Sequence, residues 1–295
     1  MLEELFEKAV RLKAKLEEFK RTDGAGTVKE ILDRARACYI EYSPKPRRAG
    51  ILAIDSGWNY RLYTGFYIYA MKAAAVDEAV NTYQSVTDVD MLSGDPYDAA
   101  LSPDLFLKYQ AEIHEHSIAY NVSEEEDPDL VLVDGSLIAR LADISKRISK
   151  SLQTEYMAYV KPLMGNDKLA FVSKYSHDKS LFGGVLGDVY YINHATKGVG
   201  YTAPHVIERE DYKFSIFYVR LSEHSNALHI EVPAVVEEDS VKWFIDVLRE
   251  RSIAGYPYAL RLAHKTANLP DQLMDLICKT AGLTGWVEAR EVLEE

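Results

Sequence analysis

Four apolar residues, Ile51-Leu52-Ala53-Ile54, run straight into Asp55-Ser56-Gly57, and the pattern returns at Leu130-Val131-Leu132-Val133 followed by Asp134-Gly135-Ser136. A short unbroken apolar run reads as a strand buried on both faces, inside a sheet that helices cover. Each run ends on a carboxylate, where the strand is expected to surface. An ionised carboxylate is costly to bury unless it is paired or bound to a cation. One such aspartate reads equally well as an Asx turn closing a strand. Two of them, on two central strands, read as a two-carboxylate metal site on one sheet, and the fold is expected to be α/β.

Around these runs the pattern is mostly helical. Residues 2–21 repeat Leu2, Leu5, Phe6, Ala9, Val10, Leu12, Leu16 and Phe19 at near-helical spacing, which predicts an amphipathic helix. Glycines within 22–26 stop it. Thr27 and Glu30 have capping-box spacing, so a second helix is expected to about residue 42. Ser43-Pro44-Lys45-Pro46-Arg47-Arg48 reads as a linker, because proline breaks a helix. These signals divide the chain into a helical arm, 1–48, and a main domain, 49–295. In the main domain the strand ending at Asp55 should open an antiparallel meander through 60–75 and 76–89, with a loop at 93–96. A helix over 102–121 carries Glu112, His114, Glu115 and His116, with both histidines expected at the surface. The acidic run 124–127 reads as a solvated loop. After the Asp134 strand a helix should cover 136–151, and a strand over 169–174 ends on Lys174 much as the first two end on aspartate. Residues 176–187 read as a loop with a short helix, 213–220 and 228–235 as strands, and 239–252, 258–268 and 270–280 as helices.

Bulk properties narrow the function. In 295 residues no apolar run approaches the roughly 20 needed to span a bilayer, so no membrane association is expected. Cys38 and Cys278 are the two cysteines and form no zinc or disulfide framework, and the chain opens with charged residues, so a reducing cytoplasm is the expected location. The net charge of -12 argues against coating nucleic acid by bulk charge. It leaves open an enzyme that gathers its basic residues in one groove and sets metal ions against phosphate.

Four segments in order carry a resemblance. Ala53-Ile54-Asp55-Ser56-Gly57 comes first, then a helix with Glu112 or Glu115, then Leu132-Val133-Asp134-Gly135-Ser136-Leu137, then Tyr256-Pro257 followed by Leu260, Ala263 and His264. The set resembles the NurA family of archaeal nucleases, which work with the HerA helicase-translocase in DNA end resection. The resemblance covers about residues 50–280 and implies an RNase H-like mixed central sheet flanked by helices. It also implies exonuclease activity on DNA ends in double-strand break repair and homologous recombination, with endonuclease activity on single strands and a hexameric HerA-type ATPase as partner. Asp55, Glu115, Asp134 and His264 would be the metal ligands, for Mn²⁺ with Mg²⁺ as the alternative.

The chemistry stands apart from the family name. Carboxylates converging within about 4 Å repel by roughly 4 kcal/mol at an effective dielectric of 20, and a divalent cation reverses that sign. Oxygen ligands suit Mg²⁺ or Mn²⁺. Glu112 and Glu115 are three apart and share a helix surface; Ala119, one turn beyond Glu115, favours the latter. Lys174 reads as a point charge for a phosphate or as an edge lysine. Tyr256 and Trp58 read as core packing before base stacking, and Glu231 as a further acidic candidate. The absence of a Walker A pattern assigns ATP use to the partner. The arm's apolar stripe predicts a homodimer. Two other functions fit less of the sequence: a non-catalytic adaptor docking on a DNA translocase, and an enzyme of small-molecule phosphoryl transfer.

Overall fold

The computed structural model describes residues 2–19, 27–93, 102–147, 150–209 and 211–283. The helix stop expected at 22–26 lies outside them, as does all of the loop expected at 93–96 except Ser93, which ends a strand.

Helix α1 is Leu2–Phe19 and α2 is Val28–Cys38. The capping box forms: the Thr27 side chain accepts from the Glu30 N–H, and the Glu30 carboxylate accepts from the Thr27 N–H. The second helix stops at Cys38, short of the expected residue 42, because Tyr39–Glu41 turns into a strand, β1, that pairs with Gly200–Thr202, β7. The β-branched and aromatic residues there find a sheet partner, which local propensity does not reveal.

The meander is β2 (Ile51–Tyr63), β3 (Phe66–Val76) and β4 (Thr82–Ser93), all antiparallel. Asp55 does not end its strand as expected: β2 runs on for eight residues through Tyr63, because β3 continues to pair with it along the whole length. Helix α3 is Pro103–Glu125, with Ser102 capping its start, so it absorbs the first half of the acidic run that was expected to be loop. Glu124 and Glu125 lie on its solvated last turn. Next come β5 (Leu130–Asp134), α4 (Leu137–Arg147), α5 (Lys150–Val160) and β6 (Leu169–Ser173). The helix expected over 136–151 is helical at 137–147 and from 150 on, and residues 148–149 between lie outside the described residues. Helix α6 is Asp188–Ala195, β8 is His205–Arg209, β9 is Tyr212–Arg220 and β10 is Leu228–Val232. Then come α7 (Glu238–Leu248), the hairpin β11 (Ser252–Ile253) and β12 (Tyr256–Pro257), α8 (Tyr258–Ala267) and α9 (Asp271–Thr280).

The large sheet has the order β1-β7-β9-β10-β6-β5-β2-β3-β4, with β8 beside β9. Strands β2, β5 and β6 are parallel and the rest of the pairing is antiparallel. A three-stranded meander with two parallel strands on its first-strand side is the expected RNase H-like arrangement. Helices cover both faces, and the period of two sorts the residues between them. Ile51, Ala53, Leu130, Leu132, Ala170 and Val172 pack on the side of α7 and α8. Leu52, Ile54, Val131, Val133, Leu169 and Phe171 pack on the side of α3, α4 and α5. Among the described residues no helix is long and apolar enough to cross a membrane.

Candidate metal centre and active site

Strand alternation decides what can meet. Ile54 pairs with Val133 in the parallel ladder, so the next step brings Asp55 level with Asp134. Both follow Ala53 and Leu132 by two residues and therefore point to the α8 side. Lys174 follows Val172 by two and points the same way. Strand β5 ends at Asp134 while β2 continues, which opens the sheet beside Asp55. Helix α8 closes this opening from above with His264.

The resulting cluster is tight. Asp55, Asp134 and His264 each offer a ligand atom, all within 4.8 Å of one another. His264 Nδ1 lies 2.8 Å from Asp55 Oδ2. Asp55 is 7% exposed, and its pKa is pushed up to about 7 by burial first, then by the negative charges of Glu115 and Asp134, against the opposing hydrogen bonds from His264 and the Ser56 N–H. Lys174 Nζ sits 3.8 Å from Asp134 Oδ2 and 3.9 Å from the centre of the Tyr256 ring. Tyr256 thus packs as the sequence suggests and also seats the lysine. The cluster is short of positive charge and mixes carboxylate oxygen with imidazole nitrogen, a donor set that fits Mn²⁺.

Glu115 approaches from the other face. Ser56, one residue past Asp55, points to the α3 side, and its hydroxyl donates to Glu115. Glu115 Oε2 pairs at 2.7 Å with Arg140 Nη1. Its carboxylate is outside the three-residue cluster, although its charge reaches Asp55. Glu112 is one turn back, bonded by the Tyr156 hydroxyl at 3.1 Å and 3.6 Å from Arg140 Nε. Burial raises the pKa of both glutamates, and Arg140 acts against that rise. The Arg140 side chain is only 10% exposed, which opposes its charge, yet Glu115 and Glu112 hold its pKa above the ordinary value. Its Nη2 also donates at 2.7 Å to the Asp134 carbonyl, tying the end of β5 to α4.

Sequence reasoning passed over Arg140. The available signal was an arginine one turn after Asp134-Gly135-Ser136, on a helix that must pack against the sheet. His116 also differs from expectation: it is fully buried, with Nε2 3.3 Å from Arg140 Nη1 and its ring edge-on to Tyr156. A 23-residue helix lying across a sheet buries more than one stripe, so a histidine beside Glu115 is taken into the core. His114 is half-buried. Glu231 follows the β10 alternation to the α4 side, away from Asp55. It accepts from the Ser136 hydroxyl, and from the Ile138 N–H at 3.0 Å, at the start of α4. Trp58 packs beside Tyr67, Tyr69 and Met71.

Gly57 fixes the height of α8. A Cβ there would lie 2.5 Å from the Ala267 carbonyl oxygen, one turn past His264. Gly57→Ala is expected to lift α8, lower stability by roughly 1–3 kcal/mol and weaken Mn²⁺ binding through His264. Melting curves with and without Mn²⁺ check this; an unchanged metal-induced shift would separate Gly57 from the site.

Comparison with known proteins agrees with this picture. The model of the NurA domain family matches residues 50–269. The DNA double-strand break repair nuclease NurA of Sulfolobus acidocaldarius is 23% identical over 310 aligned residues, covering 90% of this chain and 91% of the relative. The crystal structure of the NurA nuclease from Sulfolobus solfataricus superposes with a TM-score of 0.76 at 20% identity, over 96% of this chain and 97% of that one. A crystal structure of NurA with manganese superposes with a TM-score of 0.64 at 11% identity, over 94% and 98%.

Proposed function

The chain belongs to the NurA family, and on that premise we propose that it is a manganese-dependent DNA nuclease of double-strand break repair, hydrolysing phosphodiester bonds at the cluster of Asp55, Asp134 and His264. The convergence of those three ligand atoms within 4.8 Å carries the reading. A relative named as a repair nuclease over nine-tenths of both chains supports it, as does a structural neighbour described with manganese.

Asp55, Asp134 and His264 would hold the ion, Mn²⁺ or alternatively Mg²⁺, and Glu115 would complete the acidic set from the α3 side. A cation bound there supplies charge against the phosphate oxygens and a more acidic water. Lys174, beside Asp134 and seated on Tyr256, contacts a phosphate as a point charge. Arg140 pairs with Glu115, opposes the rise that burial gives its pKa, and holds its carboxylate in place. The test is degradation of linear DNA by the purified protein with Mn²⁺. Activity should vanish with excess chelator, and Asp134→Ala should lower it by at least about a hundredfold, equivalent to about 2.7 kcal/mol of barrier. Equal cleavage by Asp134→Ala would remove the proposal.

The finer reading includes attack on DNA ends, single-stranded endonuclease activity, a HerA-type hexameric ATPase as partner, and cytoplasmic location. The family resemblance supports these, and ATP-stimulated end degradation with such an ATPase tests the pairing. The division into an arm, 1–48, and a nuclease domain, 49–295, belongs to the same proposal, as does a homodimer. Leu2, Leu5, Phe6, Val10 and Leu12 of α1 are each more than half exposed, an apolar stripe that a second copy would cover. Light scattering should give twice the 33.4 kDa chain mass; a monomer would rule out the dimer.

A further inference from the structure

Beside the metal cluster lies a groove of about 440 Å³ lined by Lys174, Ile253, Tyr258, Arg261, Leu262, His264 and Lys265. Two of its walls, Lys174 and His264, already belong to the site, so whatever fills the groove abuts the reacting phosphate. From the juxtaposition of Arg261, Lys265 and Lys174 with the exposed ring of Tyr258 we infer a subsite for a single DNA strand, holding the nucleotides next to the cleaved bond. The inference rests on the nuclease reading above and adds the residues that would grip the strand.

Four observations carry it. Tyr258, Arg261 and Lys265 stand at i, i+3 and i+7 of α8, one face of a helix. Among the described residues neither Arg261 nor Lys265 has a carboxylate within ion-pair reach, in a chain whose net charge is -12. Like charges four residues apart on a helix repel, and a row of phosphates turns that repulsion into attraction. Apolar and aromatic surface borders the cations instead of acid: Ile253 is 47% exposed, Tyr258 36%, and Tyr175, next in the chain after Lys174, 86%. Fixed cations beside free aromatic faces are how proteins track a single strand without reading its sequence. Paired bases would keep their faces stacked on one another, so the groove takes an unpaired strand.

The hairpin sets the placement. Ala254 and Gly255 both have positive φ, 53° and 77°, the conformation of a tight two-residue hairpin turn. That turn presents Ile253 at the groove edge, while Tyr256 and Pro257 lead directly into Tyr258.

The experiment measures binding of a fluorescent oligo(dT) strand to the full chain without divalent ions, by anisotropy at several salt concentrations. Arg261→Gln/Lys265→Gln should bind roughly tenfold or more weakly. Its log–log salt slope should fall by about 1.4, two contacts at about 0.7 each on single strands. Tyr258→Leu should weaken oligo(dT) by roughly tenfold while leaving an abasic strand unaffected, and Tyr258→Phe should restore the affinity. Equal melting temperatures verify that the variants fold. An unchanged affinity and slope in the double variant would overturn the subsite, and equal losses on abasic and normal strands would overturn the stacking role. Because binding is read without metal, failure of the subsite is distinct from failure of the nuclease reading, which would appear as no Mn²⁺-dependent cleavage by the unaltered protein.

Discussion

Asp55→Asn should abolish DNA cleavage and at the same time stabilise the metal-free protein. The activity loss follows from removing a charged ligand at the centre of the cluster, and should exceed about a thousandfold, or about 4 kcal/mol of barrier. The stability gain follows from linkage. The folded-state pKa of Asp55 is raised from 3.8 to about 7, so the native state holds this proton more tightly than the unfolded state. Its favourable contribution is fully present below pH 3.8 and is lost as pH rises to about 7. Asparagine does not titrate. In excess chelator the variant should therefore gain on the parent chain across that window, by at most about 4 kcal/mol, as one pKa unit is worth 1.36 kcal/mol. Added Mn²⁺ should reverse the order, because it stabilises only a protein that binds it. Denaturant titrations at acid and neutral pH, with and without Mn²⁺, check both halves. A variant that loses stability at neutral pH in chelator would show that Asp55 serves the fold and is not a strained ligand.

Arg140→Leu should be the most destabilising single change near the site. Arg140 is the cation between Glu112 and Glu115 and the donor to the Asp134 carbonyl. Removing one partner of a buried ion pair costs about 3–5 kcal/mol, since the other charge stays buried and unpaired. That is a large share of the 5–15 kcal/mol that holds a typical domain together. The loss should be smaller in acid, where the two glutamates take up protons and no longer need a cation. Adding Glu112→Gln and Glu115→Gln to Arg140→Leu should recover part of the stability without recovering cleavage. Urea midpoints of the single and triple variants measure this; a single variant within about 0.5 kcal/mol of the parent would mean that the network contributes nothing.

Local pattern alone identifies the strands that carry Asp55 and Asp134 and the one that stops at Ser173, just before Lys174, because unbroken apolar runs can settle only inside a covered sheet. It also determined the capping box at Thr27 and Glu30 and the helix that carries His264. The length of β2 was not legible. Residues 56–63 are half-polar and extend as strand only because β3 lies alongside them. Nor was the division of the site between two faces: strand alternation sends Asp55 to α8 and its neighbour Ser56 to α3, so Glu115 meets the serine and Arg140 before it meets the cluster. The start of β1 and the burial of His116 likewise depend on partners more than a hundred residues away or on packing across the sheet. Local pattern fixes which way each side chain leaves its own strand or helix; only the register between strands and the docking of α3, α4 and α8 decides which charges come within reach of one another.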